Sequence, residues 1–393
     1  MINERLEINN EYCSGCGICK SICPVDAISF KKNDIGLSYP VIDFNVCVNC
    51  MLCFKACDTK EDINNKRTPP IDHVNSKAYY AYSIDDELRY KAATAGVVSQ
   101  ISKTLLEVND VDVVVAASQN DNNTIETKYI EKQNIDELPS GSIYRQVVLL
   151  DNYIEKVTSS NWGKVLVIGL PCHIAAVKSL HEITPKLKKV KLYTIALFCK
   201  QTKDDRFADF IRKYLKEKDK NAKVDFRGDG WPGVTRVNNK RVIFTDYKLS
   251  FMWGTFCYTP QYCMKCKDSL GVTADISVGD AWVKEYMSSD KKGSSFLLVN
   301  TDNGHELFNH IKNNIYFENK PVETVLKSQG VSVIKFKEKL ADEFIHNGRI
   351  HNRLFFKAKK FVEFIYSNNF VLVIPKVALK ILYRFLLSKI MFK

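Results

Sequence analysis

No apolar leader opens this chain: it begins Met1-Ile2-Asn3-Glu4-Arg5-Leu6-Glu7, without the hydrophobic stretch that a secretory signal requires. A cytoplasmic setting with reduced cysteines is therefore expected. No G-x-x-x-x-G-K-[ST] phosphate loop occurs, so nothing local marks a nucleotide hydrolase. Acids nearly vanish after His346, where ten Lys or Arg stand against Glu363 alone, a local charge of +9 out of +12 for the chain. The rest is nearly balanced.

Cysteine, in contrast, is abundant, with 13 in 393 residues. In a small secreted protein that count would signal disulfides; in a long chain without a leader it signals bound metal. An apolar fraction of 45% is ample for two or three cored units.

Eight of the cysteines form a repeat, since Cys13, Cys16, Cys19 and Cys23 recur as Cys47, Cys50, Cys53 and Cys57, each displaced by 34 residues. Each half is too small to bury a core alone, so metal must supply folding energy. The run C-x-x-C-x-x-C wraps three corners of a 4Fe-4S cubane, and in two-cluster ferredoxins the fourth ligand comes from the other motif. Cys13, Cys16, Cys19 and Cys57 are thus expected to hold one cluster, and Cys47, Cys50, Cys53 and Cys23 the other. Pro24 completes the first C-P signature, while Asp58 replaces it in the second. The doubled spacing argues against zinc.

After the stiff stretch Lys66-Arg67-Thr68-Pro69-Pro70 the pattern changes. Runs 111–117, 164–169 and 192–198 read as buried parallel strands, with shorter candidates at 224–227, 241–245, 275–278 and 295–300. Helices are predicted at 97–107, 173–181, 204–217 and 323–327. The expected fold is an α+β ferredoxin-like 2x(4Fe-4S) domain (1–66), then a larger α/β domain with a mixed, partly parallel sheet (77–345), then a basic amphipathic tail (346–393). From Phe370 to Lys393 the charges recur too often for a membrane span. A helix lying on the inner face of the cell membrane fits, as does a terminal helix docked on the body or on a partner.

Of the remaining cysteines, Cys172 and Cys199 follow predicted strands, at the carboxyl ends where parallel sheets bind ligands. With Cys263 and Cys266 they make four thiolates for a third cluster; the competing reading has two small core residues and an idle or zinc-binding C-x-x-C. Cys257 reads as a spectator. Arg227-Gly228-Asp229-Gly230-Trp231-Pro232-Gly233 contains G-x-G-x-x-G, but a strand-like run follows it instead of the helix that a dinucleotide site needs. A hairpin turn is the better reading. No His or carboxylate stands out as a catalytic acid.

Gly169 to Cys172, Phe198-Cys199, Tyr262 to Asp268, Ala274 to Trp282 and Lys292 to Ser295 together resemble the family of coenzyme F420 hydrogenase/dehydrogenase beta subunits, here joined to a two-cluster ferredoxin. The resemblance implies FAD and one 4Fe-4S cluster in the large domain. It places flavin contacts at Thr94, Ala95 and Gly96, where Ala95 departs from the family's double glycine, and at Gly141, Ser142 and Tyr144. Lys91 and Arg145 would neutralise a pyrophosphate or are solvated charges. The implied function is an iron–sulfur flavoprotein oxidoreductase that passes electrons from a ferredoxin or other redox partner through a flavin to an organic substrate, with surface polysaccharide synthesis as one setting. The alternative is a non-catalytic electron-transfer subunit of a larger redox complex, coenzyme F420 dehydrogenase-type complexes included. The tail's apolar content argues against a nucleic-acid partner.

Overall fold

The computed structural model describes residues 13–57, 76–346 except Thr94, and 357 and 359–364. In the N-terminal unit, β1 (Ile28–Lys32) and β2 (Ser38–Ile42) form an antiparallel hairpin between two helical turns, Ile18–Ser21 and Leu52–Ala56.

The larger unit is built on eight strands: β3 (Lys77–Ser83), β4 (Val113–Gln119), β5 (Ile125–Ile130), β6 (Lys164–Gly169), β7 (Lys191–Leu197), β11 (Ile276–Asp280), β12 (Ser295–Val299) and β13 (Ile315–Lys320). Their order is β13-β3-β12-β11-β7-β6-β4-β5. The central β4, β6, β7 and β11 are parallel, and the flanking pairs are antiparallel, so the sheet is mixed. Parallel strands must be covered on both faces. Val113 and Val115 enter one hydrophobic cluster, with Ile174 and Val177 of helix Pro171–Ile183, while Val114 and Ala116 enter another, with Ile101 and Leu105 of helix Val97–Glu107.

A three-stranded sheet of β8 (Val224–Asp225), β9 (Val234–Val237) and β10 (Lys240–Ile243) packs with helices Asp205–Tyr214 and Tyr247–Gly254 around an aromatic core that includes Phe207, Phe226 and Phe251. Buried Lys203 braces this layer: its Nζ donates to the carbonyls of Met252 (2.9 Å) and Cys257 (2.8 Å) and to Thr259 Oγ1 (3.1 Å). Burial pulls its pKa down to about 7, although the nearby Cys257 and Asp204 favour the ammonium.

The N-terminal unit packs closely against the larger one. Ile18, Ile22 and Ala56 lie in the same hydrophobic cluster as Leu149, Tyr153 and Leu180. Leu150 N donates to Cys16 O (2.9 Å), Gln146 Nε2 to Ser14 O (3.0 Å), Ile154 N to Ser21 Oγ (2.9 Å) and Ser179 Oγ to Ala56 O (3.2 Å). Gly17, at φ +97°, approaches the backbone of the larger unit closely: a Cβ there would lie 2.5 Å from Asp151 N. Gly17→Ala should therefore lower stability by about 1–3 kcal/mol, the cost of overpacking a tight contact. Thermal unfolding of the anaerobic protein, with iron content as a control, checks this.

The described part of the tail docks on the body. Lys359 Nζ donates to Thr259 O (2.6 Å), and Glu363 accepts from Tyr258 N (2.6 Å) and pairs with Arg206 (3.1 Å). Residues 370–393, on which the membrane-surface expectation rests, lie outside the described residues. Among the described residues no helix is long and apolar enough to cross a membrane.

Candidate redox centre

The structure brings the N-terminal cysteines together across the two loops. Cys57 lies close enough to Cys13, Cys16 and Cys19 for charge on one to act on the others, and Cys23 stands in the same relation to Cys53, beside Cys47 and Cys50. Gly15 N donates to Cys13 Sγ (3.4 Å) and Ala27 N to Cys23 Sγ (3.3 Å), contacts that stabilise a thiolate and tune any cluster it holds. Burial pushes the Cys13 thiol up to about 11 and the Cys16 thiol to about 12, so iron has to displace a firmly held proton.

The second group is deeper. Pro171 pre-sets the first turn of its helix after β6, and Cys172 follows it. Gly169 lets that turn close, because a Cβ there would meet His173 Cβ at 2.8 Å. Cys199 follows β7, and Cys263 and Cys266 lie in and just after a short turn of 3-10 helix, Gln261–Met264. The structure brings these four together: Cys266, Cys199 and Cys263 all act electrostatically on Cys172. Burial raises Cys199 to about 11 and Cys263 to about 12. Among the described residues no three such side chains converge on the position of a single ion. A cubane asks for a different arrangement, with four thiolates spread around four irons. Cys257 is apart from the group, its Sγ against Thr255 Oγ1 (3.2 Å).

Two residues that the sequence did not mark join these centres. Tyr262 is half-buried and lies near Cys263, Cys172 and Cys199 of this group and near Cys13 of the N-terminal unit. Cys16 likewise lies near Cys172, so the Cys13 set faces the deep group across the interface. Lys337, from helix Val331–His346, is buried, and its Nζ donates to the carbonyls of Cys199 (3.1 Å) and Asp268 (3.1 Å) and to Cys266 Sγ (3.7 Å). Burial alone would strip its charge, but the neighbouring Cys266, Cys199 and Cys263 outweigh burial and raise its pKa.

At the carboxyl ends of β6, β7 and β11 opens a cavity of about 1000 Å³. Cys199 and Lys337 form part of its wall, so the deep cysteine group borders it directly. Gly96, at φ +65°, opens the eleven-residue helix Val97–Glu107 at one side, beside Ser140, Gly141 and Ser142; Tyr144, Phe244, Trp253 and Trp282 line another.

Of the expected flavin contacts, Gly96, Gly141, Ser142 and Tyr144 line this cavity. Lys91 does not: its short helix turns it into solvent, where it pairs with Glu87 (2.6 Å). Ala95 is fully buried in the hydrophobic core at φ +55°, the left-handed conformation that explains a glycine at this position in the pattern it resembles. Thr94 lies outside the described residues. Arg145 lines the cavity but is neither solvated nor free, since Nε donates to Asp205 Oδ1 (2.6 Å) and Nη1 to Asn123 O (3.0 Å).

Cysteine loops that lead through a four-cysteine group to a large cavity define an iron–sulfur redox protein. Residues 12–60 match the 4Fe-4S dicluster domain, and residues 78–154 and 162–325 match the N-terminal and C-terminal parts of the coenzyme F420 hydrogenase/dehydrogenase beta subunit. The chain belongs to that family of beta subunits. It is 22% identical over 328 residues to a subunit of the F(420)H(2) dehydrogenase of Methanosarcina mazei, covering 80% of this chain and 86% of the relative. It is 22% identical over 352 residues to coenzyme F420-dependent sulfite reductase of Methanocaldococcus jannaschii, covering 85% of this chain and 51% of that protein. A chain of the F420-reducing [NiFe] hydrogenase complex of Methanosarcina barkeri shares the fold, with a TM-score of 0.54 at 20% identity over 70% of this chain and 92% of its own.

Proposed function

We propose that this chain is an electron-transfer subunit of a larger redox assembly, joining one-electron iron–sulfur centres to a two-electron organic carrier. The observation that carries this reading is the double position of Cys199, at once a member of the four-cysteine group and part of the cavity wall. Two 4Fe-4S clusters are assigned to the N-terminal sets and a third to Cys172, Cys199, Cys263 and Cys266. The cavity is assigned to FAD, which supplies the exchange between single electrons and electron pairs. Its wall suits that cofactor. Gly96 presents a helix amino terminus to a phosphate, the backbone at Ser140 to Ser142 approaches closely, and Arg227 Nη2 and Ser295 Oγ are buried in cavity-lining residues without partners.

The subunit reading is preferred to a free-standing reductase because the relatives named above carry coenzyme F420 redox names, one of them explicitly a subunit, and none concerns polysaccharides. Phe44, Val46 and Val48 are exposed near the exposed Cys50, a surface suited to a ferredoxin or other redox partner. Membrane-surface attachment through the tail remains part of the proposal.

Anaerobic affinity purification from the source cells tests it. Recovery of stoichiometric redox subunits, with an isolated chain that passes electrons to dyes but turns over no organic substrate, is the expected result. Steady turnover by the isolated chain with reduced ferredoxin would establish the free-standing reductase instead.

A further inference from the structure

The glycine-rich stretch Arg227–Gly233 does not open a helix as a dinucleotide fingerprint would, because β9 follows it directly, yet its construction is elaborate. Val234 N donates to Gly228 O (2.9 Å) and Phe244 N to Gly233 O (2.9 Å), so the loop closes on itself. Gly230 N donates to Tyr90 O (2.8 Å) and Trp231 N to Lys291 O (2.8 Å), which pins it to the body. Gly230 and Gly233 have φ of +83° and +89°, and a Cβ on either would come within 2.7 Å and 2.9 Å of a carbonyl oxygen.

What the loop encloses is Arg227, which is 3% exposed. Its Nε donates to Pro232 O (3.0 Å) and its Nη1 to Asp280 Oδ2 (2.5 Å). The guanidinium carbon stands 4.8 Å from the ring centres of Trp231 and Phe244 and 5.0 Å from that of Trp282. This fixes a permanent cation in an aromatic cage.

One nitrogen is left over. Arg227 lines the cavity, and its Nη2 is buried with no partner in good hydrogen-bonding geometry; the phenol of Tyr144 approaches the guanidinium closely enough to help raise its pKa. A second orphan lies close by. Ser295 is paired with Asp280 across the β11–β12 ladder, lines the same cavity, and has a buried Oγ with no partner. Native proteins rarely leave buried donors unpaired unless a ligand completes them.

We propose that Arg227 is the recognition residue of the cavity for a negatively charged oxygen on a conjugated ring, with Nη2 donating to that oxygen, Ser295 as a second donor, and Phe244, Trp253 and Trp282 packing against the ring. The proposal rests on the reading that the cavity holds an organic redox carrier. Two ligands present this chemistry: the ring of a bound flavin, which carries negative charge when reduced, and an incoming anionic acceptor.

The test uses the full chain, purified anaerobically, with Arg227→Gln and Arg227→Lys compared at wild-type iron content. One arm measures FAD binding to oxidised and reduced protein, read as the flavin potential. The other mixes chemically reduced protein with dichlorophenolindophenol, a planar anion at pH 8, or with the cation methyl viologen. If the flavin is the ligand, Arg227→Gln weakens the preference for reduced flavin about tenfold, or about 30 mV for a two-electron couple. If the acceptor is the ligand, half-saturation by the anionic dye rises about tenfold while methyl viologen is unaffected. Arg227→Lys should recover part of either loss. Should Arg227→Gln fail to assemble, Ser295→Ala, which removes only a hydroxyl, takes its place with a smaller shift in the same arm. Neither arm moving in a variant of wild-type iron content overturns the proposal. A wild-type chain that binds neither FAD nor the dye overturns the cavity reading itself, which is a different result.

Discussion

Changing Cys263 and Cys266 together to serine is expected to remove about four of roughly twelve irons and to cut electron passage between the N-terminal unit and the cavity at least a hundredfold, because the centre between them is lost. The N-terminal sets draw no ligand from residues 263–266, so their spectra should be retained. FAD should also remain, since Gly96, Gly141, Ser142 and Tyr144 are untouched. Chemical analysis of iron and flavin, with stopped-flow oxidation by a dye, reads all three. If electrons reached the cavity at the wild-type rate after four irons were lost, the deep group would not lie on the route.

Lys337→Met should have the next largest effect. The ammonium donates to Cys266 Sγ and to the carbonyls of Cys199 and Asp268, and it is buried against the centre. Reducing a cluster adds negative charge, which a buried cation stabilises. Its removal should shift the potential of that one cluster negative by on the order of 60 mV, tenfold in a one-electron equilibrium. Two carbonyls lose their donor as well, so a loss of about 1–3 kcal/mol in stability should accompany the shift. An EPR-monitored redox titration checks the assignment: an equal shift of every cluster, or none, would show that Lys337 does not act on this centre.

What was legible in the sequence was whatever is written as spacing. The 34-residue repeat marked the two N-terminal cysteine loops, helix Val97–Glu107 was read to the residue, and Cys172 and Cys199 fell at strand ends because short β-branched runs preceded them. The order of the sheet was not legible. β3 inserts between β12 and β13, more than two hundred residues away in the chain, and no local pattern encodes that pairing.

Charged residues were the hardest to place. Lys337 sits among Lys335, Lys339 and Glu338, which look like one solvated face. Its signal was helical position, three residues from both Ile334 and Leu340 on the buried stripe. Lys91 misled in the opposite sense, close in sequence to Gly96 but turned outward by the helix it ends. Arg227 was read as part of a turn, which it is; only the fold shows that the turn wraps the arginine and leaves one nitrogen toward the cavity. Ile18 and Ile22 reveal their neighbours in the larger unit only once the helices pack.

The account stands most directly on the number of metal centres and cofactors in one chain. Iron, acid-labile sulfide and flavin measured on the anaerobically purified wild type should give about twelve, twelve and one, the content of three 4Fe-4S clusters beside a filled cavity. About eight irons with no flavin would contradict it, leaving the four deep cysteines without a cluster and the cavity without a redox carrier.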